Sequence, residues 1–249
     1  MNRTVIVTGA SSGIGEACAR AFAAAGDRVI VAARRRDRLQ RLAAELGSGA
    51  IVVTLDVRDR AAVKTALANL APPFDAVDVL VNAAGLALGR DPLHLADPDD
   101  GRRMVETNVN GTLHMVQAVL PGMVARSRGD IVLIGSVAGS RPYVGGNVYG
   151  GTKAFVAQLA ANLRTELRGT GVRATLVEPG TTATEIFAVR FKGDMKKARA
   201  ATASLRALDP VDVAEAVRWC VDRPAHVTLS HIEIMPSDEA PSLLGARDE

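Results

Sequence analysis

The sequence predicts an α/β protein built on one doubly wound parallel sheet of about seven strands, with helices on both faces. Three observations predict it. Short β-branched runs alternate with helical patterns along the chain, the first run opens into a glycine-rich turn, and no composition shift marks a second domain. The 249 residues, 48% of them hydrophobic, suffice for one large core. We therefore expect a single domain over residues 1–249.

The predicted strands are short, mostly continuous apolar runs. Such runs are typical of parallel strands that helices cover on both faces, whereas one-sided strands alternate apolar and polar residues. The seven runs are residues 5–8, 28–32, 51–55, 77–81, 130–135, 172–177 and 231–235.

Two predicted helices, over residues 102–123 and 149–168, are apolar on more than one face. A helix that is covered only by its own sheet would show a polar outer face. The second helix instead carries Leu159, Leu163 and Leu167 among several alanines. We therefore expect a homo-oligomer, either a dimer or a tetramer, in which these helices pack against their copies.

A glycine-rich turn follows the first predicted strand. Gly9 permits a tight turn, Gly13 lets the backbone approach a ligand, and Gly15 permits close helix packing. The spacing differs from the commoner Gly-x-Gly-x-x-Gly, and a purely structural turn is the alternative. Because the turn lies between a strand and a helix whose free N–H groups attract pyrophosphate, we favour a dinucleotide site of the Rossmann type. Its residues are Gly9, Ala10, Ser11, Ser12, Gly13, Ile14 and Gly15.

The end of the second predicted strand indicates which dinucleotide binds. An NAD site usually carries an acid there, whereas this chain continues with Arg34 and Arg35. A solvated basic helix start is the alternative, but cations oppose the dipole at a helix N-terminus, so we favour a bound anion. Planar guanidinium groups can clamp a 2′-phosphate, which predicts NADP(H) in preference to NAD(H).

Two further strand ends lie on the edge where open sheets bind ligands. Asp56 and Val57 follow the third strand, where the carboxylate can bond the adenine amino group and the backbone N–H a ring nitrogen. A loop-initiating aspartate is the alternative. The segment that ends the fourth strand consists mostly of residues with small side chains, which would let a nucleotide lie against the backbone. It consists of Asn82, Ala83, Ala84 and Gly85.

A tyrosine and a lysine one helical turn apart predict proton transfer. A free phenol has a pKa of ~10, so it needs a nearby positive charge to act as an acid or base at neutral pH. Lys153 follows Tyr149 by four residues and can supply that charge, whereas Tyr143 has Asn147 at the equivalent position. Taken alone, Tyr-x-x-x-Lys is most often a surface helix pair.

Two more polar residues complete the candidate site. Ser136 follows the fifth predicted strand, so its hydroxyl can bond the substrate oxygen as charge develops there. Asn108 falls inside a predicted helix, where asparagine is a mediocre helix former. We interpret Asn108 as the mark of a local bend in the helix, and this bend would hold a water in a proton relay from Lys153. A satisfied buried amide is the alternative.

Together these motifs resemble the short-chain dehydrogenase/reductase family over essentially the whole chain. The resemblance implies a catalytic tetrad of Asn108, Ser136, Tyr149 and Lys153. It also implies that a late segment contacts the nicotinamide end of the cofactor, through Pro179, Gly180, Thr182 and Thr184. The family's usual Asn-Asn-Ala-Gly is Asn-Ala-Ala-Gly here, so Ala83 removes an amide that normally braces the sheet.

Four further stretches resemble a branch of that family that uses NADP(H) on short 3-hydroxy acids and β-hydroxy amino acids. They are residues 82–89, 145–156, 189–194 and 224–227. The segment after Gly180 is one residue shorter than in that branch. We interpret residues 181–205 as a mobile, basic lid. Either Arg190 or Lys192 meets a substrate carboxylate on closure, or these cations are merely solvated.

Three other functions stay open. The first is a carbonyl reductase that uses the same mechanism on 3-oxoacyl, steroid or xenobiotic ketones. The second is a sensor that binds NADP(H) without turnover, although a sensor has no need for Tyr149 and Lys153 together. The third is a non-redox lyase or epimerase on the same fold.

Composition argues against several other classes. The formal charge of +3 accompanies only 3% aromatic residues and no long basic patch, which argues against nucleic-acid binding. Cys18, Cys220 and the four histidines lack the spacing of metal ligands, so no metal is expected. No stretch reaches the roughly 18 apolar residues of a membrane span. Because the sequence shows no targeting segment at its start, we expect a soluble, cytoplasmic protein.

Overall fold

The computed structural model describes residues 3–201, 203 and 206–239. Within these residues, seven strands form one sheet in the order β3-β2-β1-β4-β5-β6-β7, and all neighbours are parallel. The strands are β1 (Thr4–Thr8), β2 (Arg28–Ala33), β3 (Ala50–Thr54), β4 (Val79–Asn82), β5 (Gly129–Ile134), β6 (Val172–Pro179) and β7 (His231–Ile234). The predicted doubly wound fold is confirmed, and the strand limits differ from the prediction by at most two residues.

Helices cover both faces of the sheet. They are α1 (Gly13–Ala24), α2 (Arg36–Leu46), α3 (Arg60–Ala68), α4 (Pro98–Val105), α5 (Gly111–Ala125), α6 (Asn147–Glu166), α7 (Ile186–Arg190), α8 (Met195–Ala200) and α9 (Pro210–Val221). A π-helical segment, Glu106–Asn110, joins α4 to α5 and interrupts the helix predicted over residues 102–123. No helix in the described part of the chain has the length and apolar character needed to cross a membrane.

Strand β1 shows how the sheet divides the core. Val5 and Val7 pack on one face, with residues of α1 and α9, and Ile6 packs on the other, with residues of α3, α5 and α6. All three side chains are fully buried. The division follows from the two-residue period of side chains along a strand. The run is continuously apolar because both faces are covered.

Polar side chains brace the carboxyl ends of the two central strands, β1 and β4. Thr8 Oγ1 donates to Asn82 Oδ1 at 3.1 Å, and Asn82 Nδ2 donates to Thr112 Oγ1 at 2.9 Å. The backbone N–H of Ala84 donates to Thr8 Oγ1 at 3.0 Å. These buried bonds hold the end of β4 although Ala83 lacks an amide side chain.

The outer face of α6 is more polar than the sequence pattern indicated. Gln158 and Asn162 are exposed on α6 and bond each other at 2.9 Å. Leu163 and Leu167, which contributed to the expectation of an oligomer, are buried in the chain's own core. Association through these helices therefore stays a prediction.

Candidate active site

The glycine-rich turn joins β1 to α1 and leaves a helix N-terminus open. Gly9 and Gly13 have φ angles of 69° and 56°, which glycine adopts without strain. A Cβ on Gly15 would lie 2.5 Å from the carbonyl oxygen of Gly9, so a side chain is excluded there. Ser12 makes no side-chain capping bond. The first-turn N–H groups therefore suit an anionic ligand, and the turn fits the pyrophosphate of a dinucleotide.

Arg35 lies beside this turn, as the sequence predicts. Its Nε donates to Ser11 Oγ at 3.0 Å, and its Nη2 donates to Ser12 Oγ at 2.6 Å. Its Nη1 donates to Glu185 Oε2 at 2.7 Å. Arg34 is exposed. Both arginines are thus at the end of β2, and Arg35 is the one that contacts the glycine-rich turn.

Asp56 follows β3, but its carboxylate is engaged by Arg58. Arg58 Nη2 and Nε donate to Asp56 Oδ2 at 2.7 and 3.0 Å. These hydrogen bonds lower the pKa of Asp56, and the charges of Arg58 and Arg34 add to the effect. Val57 is buried and faces Gly111, where a Cβ would lie 2.6 Å from Val57 Cγ2. An adenine contact by Asp56 would have to share the carboxylate with Arg58, and it stays a prediction.

Tyr149 and Lys153 lie together on α6, and both side chains are buried. Lys153 Nζ lies 5.9 Å from the centroid of the Tyr149 ring and donates to the carbonyl oxygen of Ile134 at 2.8 Å. The predicted pair therefore forms against the carboxyl end of β5. Burial lowers the pKa of Lys153 to about 8, so the ammonium remains charged at neutral pH.

The expected lowering of the Tyr149 pKa by Lys153 is not seen. Burial raises the pKa of Tyr149 to about 12, while a hydrogen bond with Ser136 and the charge of Arg190 act in the lowering direction. Removing the phenol from water disfavours the phenolate more than the neighbouring groups favour it. In this structure Tyr149 is therefore a neutral phenol that can donate a proton.

Ser136 occupies the position that the sequence predicts, just past the end of β5 with only Gly135 between. It precedes the 3₁₀ turn Val137–Gly139, and its Oγ accepts the N–H of Ala138 at 3.2 Å. Its side chain lies close enough to Tyr149 to act on that residue's pKa, in the lowering direction. The two hydroxyl groups that would hold and protonate a substrate oxygen are therefore next to each other.

Asn108 lies in the π-helical segment and is 1% exposed. Its Oδ1 accepts the N–H of Leu86 at 2.9 Å, and its Nδ2 donates to Leu86 O at 2.9 Å and to Thr152 Oγ1 at 3.0 Å. The hydrogen-bonded side chain matches the alternative of a satisfied buried amide. The π-helical segment is the departure from regular helix that the predicted local bend requires. A Cβ on Gly85 would lie 3.3 Å from Asn108 Oδ1 and 3.7 Å from Lys153 Nζ. Asn108, Gly85 and Lys153 thus adjoin, and the relay water stays a prediction.

The segment after β6 returns to the glycine-rich turn. Pro179 ends the strand, and the N–H of Gly180 donates to Ile234 O at 2.8 Å. Thr182 is buried and donates to Gly180 O at 3.1 Å. A Cβ on Gly13 would lie 3.0 Å from Thr184 Cγ2. Thr184 therefore lies against the turn that would hold the pyrophosphate.

Arg190, in the predicted lid segment of residues 181–205, is buried beside the Tyr149 ring. Arg190 ends α7 and is 7% exposed. Its Nε donates to Gly89 O and its Nη2 to Gly145 O, both at 3.0 Å. Its guanidinium carbon lies 5.6 Å from the centroid of the Tyr149 ring. The alternative of a solvated charge is therefore wrong for Arg190. Residues 202, 204 and 205 of the predicted lid lie outside the described residues.

Lys192, the other candidate for a substrate carboxylate, is held elsewhere. Its Nζ contacts Asp100 Oδ2 at 2.9 Å and Asp97 Oδ2 at 3.2 Å, and the side chain is exposed. The two aspartates already balance its charge. Arg190, by contrast, forms no ion pair with a carboxylate among the described residues. The sequence did not distinguish these two cations as candidates for a substrate carboxylate. In the structure, Arg190 is buried without a carboxylate partner and Lys192 is exposed and paired.

Two carboxylates that interact with the predicted site residues come from distant elements and were not predicted. Glu185 accepts bonds from both Arg35 and Arg38. Glu178 is 3% exposed, bonds His231 Nε2 at 2.7 Å, and raises the pKa of Lys153 against the larger effect of burial. A carboxylate inside the apolar run of β6 is a signal that could have identified Glu178. No cluster of His, Cys, Asp and Glu arranged to hold a metal occurs among the described residues.

Comparison with known proteins agrees with this fold. The family model for short chain dehydrogenases matches residues 3–194. The chain therefore belongs to the short-chain dehydrogenase family.

Two relatives match nearly the whole chain. The NADP-dependent 3-hydroxy acid dehydrogenase of Salmonella typhi is 52% identical over 233 residues, which are 93% of this chain and 94% of that protein. The serine 3-dehydrogenase of Rhizobium radiobacter is 40% identical over 240 residues, 96% of each chain.

Solved structures give the same result. The closed form of a serine dehydrogenase complexed with NADP⁺ has a TM-score of 0.94 at 51% identity, covering 95% of this chain and 96% of that one. The serine dehydrogenase of Escherichia coli has a TM-score of 0.84 at 47% identity, covering 95% and 99%.

Proposed function

We propose that this chain is an NADP(H)-dependent dehydrogenase that interconverts short 3-hydroxy acids, or β-hydroxy amino acids, with their 3-oxo forms. The observation that carries the substrate class is the buried guanidinium of Arg190 beside Tyr149. An unpaired buried charge is costly, so the site suits a ligand that brings an anion. Two relatives are named for 3-hydroxy acids and for serine. Both kinds of compound carry a carboxylate, which supports the same substrate class.

The residues that would hold NADP(H) line the carboxyl edge of the sheet. The glycine-rich turn receives the pyrophosphate, and Arg34 and Arg35 receive the 2′-phosphate. The end of β4 and the segment after β6 line the nicotinamide side, and Lys153 bonds the ribose. When bound, the nicotinamide supplies or accepts the hydride at the substrate carbon. The NADP-dependent relative and the NADP⁺ complex support this cofactor.

Tyr149 and Ser136 would handle the substrate oxygen. Ser136 donates a hydrogen bond to it, and Tyr149 donates a proton to it during reduction, for which a neutral phenol is the required form. Oxidation needs the phenolate form of Tyr149, which accepts the hydroxyl proton. The positive charge of the oxidised nicotinamide would add to that of Lys153, whose Nζ lies 5.9 Å from the ring centroid, in favouring this phenolate over the neutral form that burial favours. Arg190 binds the carboxylate and so orients the carbon that reacts.

Asn108 would act on the proton path from Lys153 to solvent. Its Nδ2 donates both hydrogens, to Leu86 O and Thr152 Oγ1, so a relay water would have to donate to an oxygen of Asn108. The backbone carbonyl, which Thr112 Oγ1 also contacts at 2.7 Å, is one such acceptor. A carbonyl oxygen has two lone pairs and can accept both bonds. The adjacency of both Asn108 and Lys153 to Gly85 supports such a path.

We also propose a homo-oligomer in the cytoplasm, built through α5 and α6. Half-buried apolar residues on these helices, including Phe155 and Leu159, support the association. Sedimentation velocity checks it: a species at least twice the 26.0 kDa chain mass is expected, and a monomer at micromolar concentration would contradict it.

A substrate panel tests the function. Absorbance at the nicotinamide band is followed with NADP⁺ or NAD⁺ and with L-serine, L-allo-threonine, 3-hydroxypropionate and simple secondary alcohols. Faster turnover of the acids with NADP⁺ is expected. Turnover of neutral alcohols alone would favour the carbonyl reductase alternative, and NADP⁺ binding without any turnover would favour the sensor. Substrate conversion without net nicotinamide reduction would favour a lyase or epimerase.

A further inference from the structure

A carboxylate of the lid segment bonds the same arginine that the proposed cofactor needs. Glu185 Oε2 accepts from Arg35 Nη1 and Glu185 Oε1 accepts from Arg38 Nη1, each at 2.7 Å. All three side chains are about 40% exposed. Glu185 immediately precedes α7, the helix that ends at Arg190. One ion-pair cluster therefore joins the end of β2 to the lid.

The remaining donors of Arg35 show where an incoming anion meets Glu185. Nε and Nη2 face the hydroxyl groups of Ser11 and Ser12 in the glycine-rich turn, while Nη1 faces Glu185. A phosphate that approaches Arg35 from the turn therefore arrives beside a carboxylate. The hydrogen bonds from Arg35 and Arg38 lower the pKa of Glu185, so the carboxylate is charged throughout the neutral range.

We propose that Glu185 is a specificity-determining residue that limits the preference for NADP(H) over NAD(H). Its carboxylate holds Arg35 when the adenine ribose carries a 2′-hydroxyl, and it yields Arg35 to a 2′-phosphate while it keeps Arg38. The inference rests on the proposed function, because it requires a 2′-phosphate at Arg35. Exposed ion pairs are weak, so a doubly charged phosphate displaces the carboxylate. The exchange also makes the lid that carries Arg190 sensitive to the cofactor's 2′ group.

The experiment measures dissociation constants of NADP⁺ and NAD⁺ by isothermal titration calorimetry on the full chain. The variants are Glu185→Gln, Arg35→Gln and the double variant. Glu215→Gln is the matched control, since Glu215 is exposed on the same cleft of about 1260 Å³ between α1, α9 and the lid. Both glutamate substitutions remove one negative charge, and neither changes the buried core.

Glu185→Gln is expected to tighten NADP⁺ binding about two- to fivefold, the upper part of the range for loss of one exposed ion pair, and to leave NAD⁺ binding within about 1.5-fold. Glu215→Gln should change neither constant. In the Arg35→Gln background, Glu185→Gln should have no effect, because the arginine that couples the two anions is gone.

Three results would overturn the inference alone: unchanged or weaker NADP⁺ binding in Glu185→Gln, an equal effect on NAD⁺, or an effect that persists without Arg35. A wild-type chain that binds NADP⁺ no tighter than NAD⁺ would overturn both this inference and the proposed cofactor. The wild-type measurement therefore separates failure of the inference from failure of the proposed function.

Discussion

The guanidinium carbon of Arg190 lies 5.6 Å from the centroid of the Tyr149 ring, and two backbone carbonyls fix its Nε and Nη2. This relationship joins the lid to the helix that carries the proposed proton donor. The third guanidinium nitrogen of Arg190, Nη1, has no hydrogen-bond partner among the described residues. A substrate carboxylate bound there would bring the adjacent hydroxyl carbon towards Tyr149 and Ser136.

Arg190→Gln should raise KM selectively for acidic substrates. Loss of a charge-assisted hydrogen bond costs ~1.5–3 kcal/mol, so KM for 3-hydroxypropionate should rise about 10- to 100-fold. KM for a neutral secondary alcohol should stay within about twofold. Lys192→Met is the matched control, because that lid cation is held by Asp97 and Asp100. An equal loss for acids and neutral alcohols would assign Arg190 to lid structure alone.

Replacing Arg34 and Arg35 together by glutamine should weaken the binding of NADPH much more than the binding of NADH. Two charge-assisted contacts to the 2′-phosphate are lost, which predicts about a hundredfold increase in the NADPH dissociation constant. NADH lacks that phosphate and should change less than about threefold. Nicotinamide fluorescence measures both constants. Arg36→Gln, an exposed neighbour at the start of α2, is the control, and equal weakening of both cofactors would contradict the assignment.

Lys153 should make stability depend on pH in the alkaline range. Burial lowers its pKa from the usual 10.5 to about 8, so between these values the unfolded chain binds more protons than the folded chain. The free energy of unfolding therefore rises with pH across this window. From about pH 7.5 to about pH 9.5, the wild type should gain roughly 2 kcal/mol relative to Lys153→Met.

Urea unfolding followed by Trp219 fluorescence measures this difference. Lys64→Met, which removes an exposed lysine, should follow the wild type at both pH values. Parallel pH dependence in the wild type and Lys153→Met would show that Lys153 is not desolvated.

Gly15→Ala should destabilise the chain and impair cofactor binding. The new Cβ would lie 2.5 Å from Gly9 O, so the turn must move away from the helix. Overpacking of this kind costs ~1–3 kcal/mol. Urea unfolding and NADP⁺ titration measure the two effects. Gly49→Ala, whose Cβ would meet only Asp27 O at 3.9 Å, should change neither, and a Gly15→Ala variant with wild-type binding would contradict the role of the turn.

The strands and the glycine-rich turn were predictable because local chemistry determines them. A run such as Val5 to Val7 must be covered on both faces, and Gly9 and Gly13 sit where only glycine adopts the backbone without strain. The pairing of Tyr149 with Lys153 follows from helix periodicity. Each of these features depends on residues that are close together in the sequence.

Contacts between distant segments were not predictable in the same way. Glu185 reaches Arg35 across 150 positions, and the lid cations Arg190 and Lys192 differ only in which neighbours the fold gives them. The pKa of Tyr149 was expected to fall because the sequence shows its charged neighbour but not its burial. Tertiary packing decides such properties.

Comparison of the wild type with Tyr149→Phe tests whether Tyr149 transfers the proton. NADP⁺ affinity is measured by calorimetry, and NADP⁺-dependent oxidation of L-serine and 3-hydroxypropionate is measured by absorbance. Tyr149→Phe should bind NADP⁺ within about twofold of the wild type and lose general acid–base catalysis, which lowers kcat about 100- to 10,000-fold. Acid oxidation at a similar kcat in both proteins would contradict the assignment of Tyr149 as the proton-transferring group.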